Sequence, residues 1–170
     1  MRTFRDIEHL STALDYQGQT PKRLDRDVCQ QAWLSEGYSG APASYVEYFR
    51  FIGSVQWTCD TDCMAIHPPE GISGLNAWNE RFCAAERSTG KGYPTARYTR
   101  FGTIDEGSSL CWDRQSPSSE SAIVRIFRDG EIVPCGVNIS DFLLNFWLMG
   151  KCTYSEVNDI IDERLVVDVV

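Results

Sequence analysis

The sequence predicts an α+β fold, in which an antiparallel meander of strands packs against N-terminal helices and a C-terminal apolar helix. Residues 96–150 carry the main evidence, since four short β-type runs are followed there by one strongly apolar helical pattern. Helical patterns also dominate the first 52 residues. Because strands and helices of this kind each have an apolar face to bury, they are expected to form two packed layers.

Three helices are predicted in the N-terminal part of the chain. Apolar residues at helical spacing indicate a short amphipathic helix over residues 3–14. Thr20 and Pro21 are typical of the N-cap and first position of a second helix. A mostly aromatic third helix is expected over residues 45–52, with Ser44 as its N-cap. The predicted apolar face of the second helix consists of Leu24, Val28 and Ala32.

The middle of the chain predicts one strand and then a long excursion. Residues 54–58 are expected to form the first strand. Residues 68–94 are irregular and rich in glycine, and they contain an isolated helix-like piece at 76–86. The whole segment is expected to pass over the sheet.

Four further strands are predicted in residues 96–138. The first run leads into a turn-rich segment at 102–107, and Asp129-Gly130 is a hairpin turn signal between the last two runs. The runs themselves are 98–101, 109–112, 122–127 and 131–133.

A final apolar helix is predicted to open at Ile139, with Ser140 as a plausible N-cap and Asp141 favourable to the helix dipole. Residues 153–163 are expected to form one more helix, and residues 165–170 either an edge strand or a docked tail. The apolar face of the helix from Ile139 is predicted to consist of Phe142, Leu143, Phe146, Trp147 and Met149.

The charge of the chain is acidic and uneven. The net charge is −8, and residues 101–170 contain twelve acidic and five basic side chains. This balance argues against direct binding to nucleic acid or to anionic membranes, which requires basic surface. It suits a basic protein partner, although plain solubility is the simpler explanation of composition alone.

The sequence favours the cytoplasm as the compartment. Residues 1–6 are polar instead of forming an apolar signal segment, and no run approaches the roughly 18–20 apolar residues of a membrane span. The seven cysteines are odd in number and scattered. Reduced thiols are therefore expected instead of a disulfide framework.

Catalytic signatures are largely missing from the sequence. Ser88–Gly92 lacks the first glycine and the trailing hydroxyl of a phosphate-binding loop. Cys59, Cys63 and His67 have donor atoms and spacing that would suit zinc on one helical face, but a second ligand pair is missing and two prolines follow. We therefore expect no catalytic residues, no metal and no cofactor, with a thiol or metal enzyme as the weakest alternative.

A family resemblance rests on the order of several short motifs. A proline-led aromatic helix covers 41–49, Phe101-Gly102-Thr103 resembles a turn motif, Asp113 closes the next strand, and 139–143 opens a helix. In this order the chain resembles the SUKH superfamily over residues 28–150. That superfamily contains immunity proteins of bacterial polymorphic toxin systems, fungal cell-wall synthesis regulators and Suppressor of Fused.

The resemblance implies a single α+β domain over residues 1–170, with a core at about 28–150 and a helix or tail at 151–170. It also implies a cytosolic immunity protein that binds a cognate toxin, most often a nuclease with a basic cleft, and occludes its active site. A non-enzymatic scaffold or regulatory module is the alternative. The protein is expected to be a monomer or weak dimer that binds neither nucleic acid nor membrane.

The partner is expected to contact loops around the sheet. Opposite charge would accelerate its association, and a tryptophan would supply an aromatic anchor, although Trp57 and Trp112 are also good core candidates. The predicted partner-binding residues are Asp60, Asp62, Asp105, Glu106, Trp112, Asp113 and Glu120.

Overall fold

A computed structural model describes residues 6–14, 21–59, 62–86, 95–104, 107–115, 122–147 and 167–169. Across these ranges the protein is α+β, as predicted. The helices are α1 (Ile7–Ala13), α2 (Arg26–Ser35), α3 (Ala43–Phe51), α4 (Ile72–Glu86) and α5 (Ile139–Asp141), which continues as a π-helix (Phe142–Trp147). The strands are β1 (Val55–Cys59), β2 (Asp62–Ile66), β3 (Tyr98–Ile104), β4 (Ser108–Asp113), β5 (Ile123–Ile126), β6 (Ile132–Gly136) and β7 (Val167–Val169).

The described strands form one antiparallel sheet in the order β6-β5-β4-β3-β2-β1-β7. The first six are neighbours in both sequence and space, so the predicted meander is confirmed. β7 pairs with β1 at the far edge, which is the edge-strand alternative for residues 165–170. The hairpin turn before β6 is also confirmed, because the Gly130 N–H donates to the Phe127 carbonyl and Gly130 has a φ of 93°.

One face of the sheet packs against α1, α2, α3 and α5 in an aromatic core. Trp112 of β4 is 3% exposed and stacks on Phe101 of β3, with ring centroids 3.9 Å apart. Its ring also meets Trp33 of α2 and Tyr45 of α3 nearly edge-on, at 5.2 Å each. Edge-to-face and offset-stacked rings add to the area they bury, so this cluster ties the centre of the sheet to two helices.

The opposite face of the sheet is covered by α4, which packs mainly on β3. The predicted helix and its passage over the sheet are therefore confirmed, although the helix begins four residues earlier than expected. The Asn76 amide donates to the Arg100 carbonyl, and the Arg100 N–H donates to the Asn76 side chain, which joins α4 to β3. The apolar cluster on this side is smaller, consisting of Cys83, Tyr98, Cys111, Val124 and Ile126.

The start and the buried face of the second helix differ from the prediction. Pro21 lies outside the helix, and α2 begins only after Asp25. Lys22 forms an isolated β-bridge with Ser54, and the Leu24 N–H donates to the Phe49 carbonyl. These two backbone contacts hold residues 22–24 outside the helix. The buried positions of α2 are Cys29 and Trp33, whereas Val28 is 51% exposed.

Two predicted N-caps are also wrong. Pro42 occupies the N-cap position of α3, and Ser44 instead accepts a hydrogen bond from the Ile139 N–H at 3.1 Å. Asn138 caps α5, because its side-chain oxygen accepts from the Asp141 N–H at 2.8 Å, so Ser140 does not. A short amide or carboxylate side chain satisfies a free helix N–H at least as well as serine.

The turn-rich segment 102–107 is shorter than predicted, because β3 continues through Ile104. A β-bulge between Arg100 and Gly102 lets the strand continue with a local change of register. The strand β2 was not predicted. The expected helix at 153–163 lies outside the described residues. Within the described ranges, no helix combines the length and the apolar character needed to cross a bilayer.

Two glycines provide a matched test of this packing. A Cβ on Gly102 would lie 2.6 Å from the Ala65 carbonyl oxygen of β2, whereas a Cβ on Gly74 of α4 would meet nothing within 4 Å. We expect Gly102→Ala to destabilise the fold by about 1–3 kcal/mol. Gly74→Ala should instead stabilise it by about 0.5–1 kcal/mol, because alanine loses less backbone entropy in a helix. Urea denaturation of both variants measures the difference, and equal effects would contradict the β2–β3 geometry.

Candidate partner-binding surface

Most of the predicted acidic binding residues have no described side chain. Four of them lie outside the described residues, namely Asp60, Asp105, Glu106 and Glu120. Asp62 opens β2, where its backbone pairs with Cys59 across the β1–β2 hairpin. For these five positions, partner binding stays a prediction from sequence.

Trp112 is described in full, and its ring is enclosed by the aromatic core. Because Phe101, Trp33 and Tyr45 surround it, only 3% of the residue is exposed. The structure therefore assigns Trp112 a packing role, and an aromatic anchor for a partner has to be sought elsewhere.

Asp113 ends β4 and is engaged within the chain. Arg97 donates to both carboxylate oxygens, at 2.9 and 2.7 Å, and the Gln115 N–H donates to one of them at 3.0 Å. The hydrogen bonds from Arg97 lower the pKa of Asp113 below its usual range. With 13% of its side chain exposed, this carboxylate mainly fixes the start of β3 to the end of β4.

The pattern Cys59, Cys63 and His67 is not helical. The backbone there forms the hairpin of β1 and β2, so the four-residue spacing does not align the three residues on a helix face. Burial, followed by the charge of Arg100, lowers the pKa of His67. Among the described residues, no three histidine, cysteine or acidic side chains are grouped as metal ligands.

The clearest concave surface lies between α4 and the strands β4 and β5. We call it the α4 cleft, and its volume is about 220 Å³. Its position follows from the fold, because α4 crosses the sheet over β3 and leaves the neighbouring strands partly uncovered. The apolar residues of the α4 cleft are Trp78, Phe82, Cys83, Ile126 and Phe127.

Two aromatic side chains at the α4 cleft are exposed to solvent. Trp78 is 51% and Phe82 is 38% exposed, and their rings stack at 5.4 Å with an interplanar angle of 11°. Their four-residue spacing on α4 places them one above the other on the same side of the helix. The pair forms a preordered apolar surface that continues into the cleft.

The charged side chains lining the α4 cleft are both arginines. The Arg100 guanidinium lies 5.9 Å from the centre of the Trp78 ring, and the aliphatic part of Arg128 lies beside Gly107. Among the described residues, no carboxylate lies within 4.0 Å of either guanidinium. Within the described part of the chain, the lining of the cleft is therefore apolar with two basic side chains, whereas the net charge of the whole chain is −8.

A second hollow of about 460 Å³ lies on the other side of β3, between the α2–α3 loop and the ends of β3 and β4. Its one basic side chain, Arg114, already donates to the Thr99 hydroxyl and lies 5.8 Å from the centre of the Tyr38 ring. Because Arg114 already interacts within the chain, this hollow has fewer groups available to bind a partner than the α4 cleft has.

Sequence reasoning did not identify Trp78, Phe82, Arg100 or Arg128 as binding residues. An aromatic pair at helical spacing normally indicates the buried side of a helix. The unusual feature is that the pair is exposed, and exposure depends on where α4 crosses the sheet. The one local signal was the unexplained helix inside an otherwise irregular segment.

No protein-family model matches the chain, and no curated protein or solved structure matches it either. The resemblance to the SUKH superfamily therefore stays a prediction that rests on the sequence motifs.

The Arg97–Asp113 ion pair predicts a specific acid dependence of stability. Since the pKa of Asp113 is lower in the folded than in the unfolded chain, its contribution is complete above about pH 4 and is lost as pH falls through the folded value. Asp113→Asn should lower Tm slightly at pH 7, and the difference from the parent chain should vanish at lower pH. Thermal melts between pH 2.5 and 7 test this.

Asp129→Asn is a suitable control for those melts, because Asp129 is exposed and accepts a backbone hydrogen bond without an ion-pair partner among the described residues. A Tm difference for Asp113→Asn that is constant with pH would show that the carboxylate charge is unimportant there.

Proposed function

We propose that this chain is an immunity protein that binds a cognate bacterial toxin domain in the cytoplasm and neutralises it by covering its active site. A nuclease domain is the proposed target. The observation that carries the proposal is the exposed Trp78–Phe82 stack beside the α4 cleft.

The exposure of stacked aromatic rings to water is unfavourable in free energy, and their burial in an interface is favourable. Burying apolar surface is favourable by roughly 25 cal/mol per Å², and tryptophan is among the residues that dominate measured interface energies. Because Trp78 and Phe82 are already ordered against each other, a partner would lose little side-chain entropy by binding them. This arrangement favours a protein ligand with its own apolar anchor.

Charge favours a basic partner. A surplus of seven acidic side chains in residues 101–170 would attract a domain whose cleft is built for phosphates, and the attraction would raise the association rate at low salt. Asp105 and Glu106 directly precede Gly107, which lines the α4 cleft. Two of the predicted acidic residues therefore directly precede, in sequence, a residue of the cleft that the exposed aromatic pair also lines.

The described cysteines are compatible with a reducing compartment. Cys29, Cys83 and Cys135 are buried thiols without disulfide bonds. Burial raises the pKa of Cys29 and of Cys135 to about 11 each, so both are protonated and poorly nucleophilic at neutral pH. Their environment supports a packing role in a cytoplasmic protein.

The resemblance to the SUKH superfamily supplies the toxin-related part of the proposal. A direct experiment is to purify the tagged chain from its own cells, identify the stoichiometric partner, and express that partner's C-terminal domain in a heterologous host. The proposal predicts that the domain arrests growth alone and that co-expression of the chain restores growth. Many substoichiometric partners, none of them toxic, would instead support the scaffold alternative.

Truncating the exposed tryptophan should separate binding from stability. Trp78→Ala is expected to weaken toxin binding by about 30-fold, the size of an interface hot spot. Because Trp78 is half exposed, the Tm of the Trp78→Ala variant should differ little from that of the parent chain. Calorimetric titration of the purified toxin domain gives the affinity.

Leu34→Ala is the matched control, since Leu34 is 48% exposed on α2 and outside the α4 cleft. Equal loss of affinity in the two variants, or none in either, would place the interface elsewhere.

A further inference from the structure

The α4 cleft has the size of a site for one side chain. Its volume of about 220 Å³ is below the roughly 300–1,000 Å³ of pockets that enclose drug-sized molecules. Its walls are the rings of Trp78, Phe82 and Phe127 with the aliphatic side chain of Ile126. A single aromatic or branched aliphatic side chain matches both the size and the apolar lining.

The polar groups that line the α4 cleft can donate hydrogen bonds to a negatively charged acceptor. Arg100 and Arg128 lie at the cleft without carboxylate partners among the described residues. Ser109 of β4 lines it as well, and this serine is 7% exposed while its hydroxyl makes no hydrogen bond within the described part of the chain. A carboxylate could accept from both guanidinium groups and from the hydroxyl, and such charge-assisted bonds are the strong ones.

We propose that the α4 cleft binds a segment of the partner in which one apolar side chain is adjacent to an aspartate or glutamate. The apolar side chain fills the cleft, and the neighbouring carboxylate binds Arg100 and Arg128. This inference rests on the proposed function, because the segment belongs to the toxin domain. It specifies the chemistry of the partner at this site.

The local charge reversal has a consequence for docking. The partner is attracted over long range by the acidic chain, yet at the α4 cleft it must present an acid. A basic residue at that position would face two arginines that have no carboxylate partner among the described residues, so incorrect orientations are disfavoured. The cleft thus selects orientation, whereas the overall charge raises the association rate.

Aromatic rings with arginines are also found in sites for single-stranded nucleic acid, where bases stack on the rings. The net charge of −8 opposes that alternative, because nucleic-acid binding depends mainly on basic surface. A short RNA is nevertheless included as a probe in the test.

The experiment titrates ¹⁵N-labelled full chain with three blocked dipeptides, phenylalanine–glutamate, phenylalanine–glutamine and phenylalanine–lysine, and with a uridine tetranucleotide. Each of the five tryptophans contributes one indole N–H, and that of Trp78 reports on the cleft. We expect the glutamate peptide to shift the Trp78 signal and to bind about tenfold more tightly than the glutamine peptide. The lysine peptide and the RNA should leave the signal unchanged.

Two variants test whether the preference for glutamate arises at the α4 cleft. Arg128→Gln should abolish the preference for glutamate over glutamine. Arg81→Gln should keep it, because Arg81 is exposed on α4 but does not line the cleft. Equal affinity of the three peptides, shifts away from Trp78, or tighter binding of the RNA would overturn the inference. No toxin is needed for this titration, so its failure is distinct from a failure of growth rescue.

Discussion

The contact on which the fold depends is the packing of Trp112 against Phe101, Trp33 and Tyr45. These four rings belong to two central strands and two helices that are distant in sequence, and they meet at centroid distances of 3.9–5.2 Å. Such a cluster leaves little freedom in how α2 and α3 lie on the sheet. Its position at the middle of a sequential meander fixes one face of the sheet as the core.

The second face follows from the first. With the large aromatic residues committed to α2 and α3, the side under α4 has a smaller apolar cluster that includes Cys83, Cys111 and Val124. α4 is held to β3 by the reciprocal hydrogen bonds of Asn76 and leaves β4 and β5 partly open. The α4 cleft and its exposed aromatic pair therefore lie on the side of the sheet that has the smaller apolar cluster.

The fold was more predictable from sequence than the site. Runs such as 122–127, with several β-branched residues and an Asp-Gly turn, specify strands locally, and the meander follows because neighbouring strands usually pair. The strand β2 was missed because Asp62–Ile66 is a short, mixed run next to the cysteine pattern. The buried face of α2 was misassigned because Val28 and Trp33 both fit helical spacings, and tertiary contacts select between them. The α4 cleft depends on where a helix crosses the sheet, which no local pattern specifies.

We propose that a toxin partner contacts the face bearing α4, and not the face bearing α2 and α3. Hydrogen–deuterium exchange of the chain, free and in complex with the purified toxin domain, measures this most directly, because amides covered by a partner exchange more slowly. We expect slower exchange in α4 and in residues 123–130 of the complex. Protection confined to α2 and α3, with α4 unchanged, would contradict it.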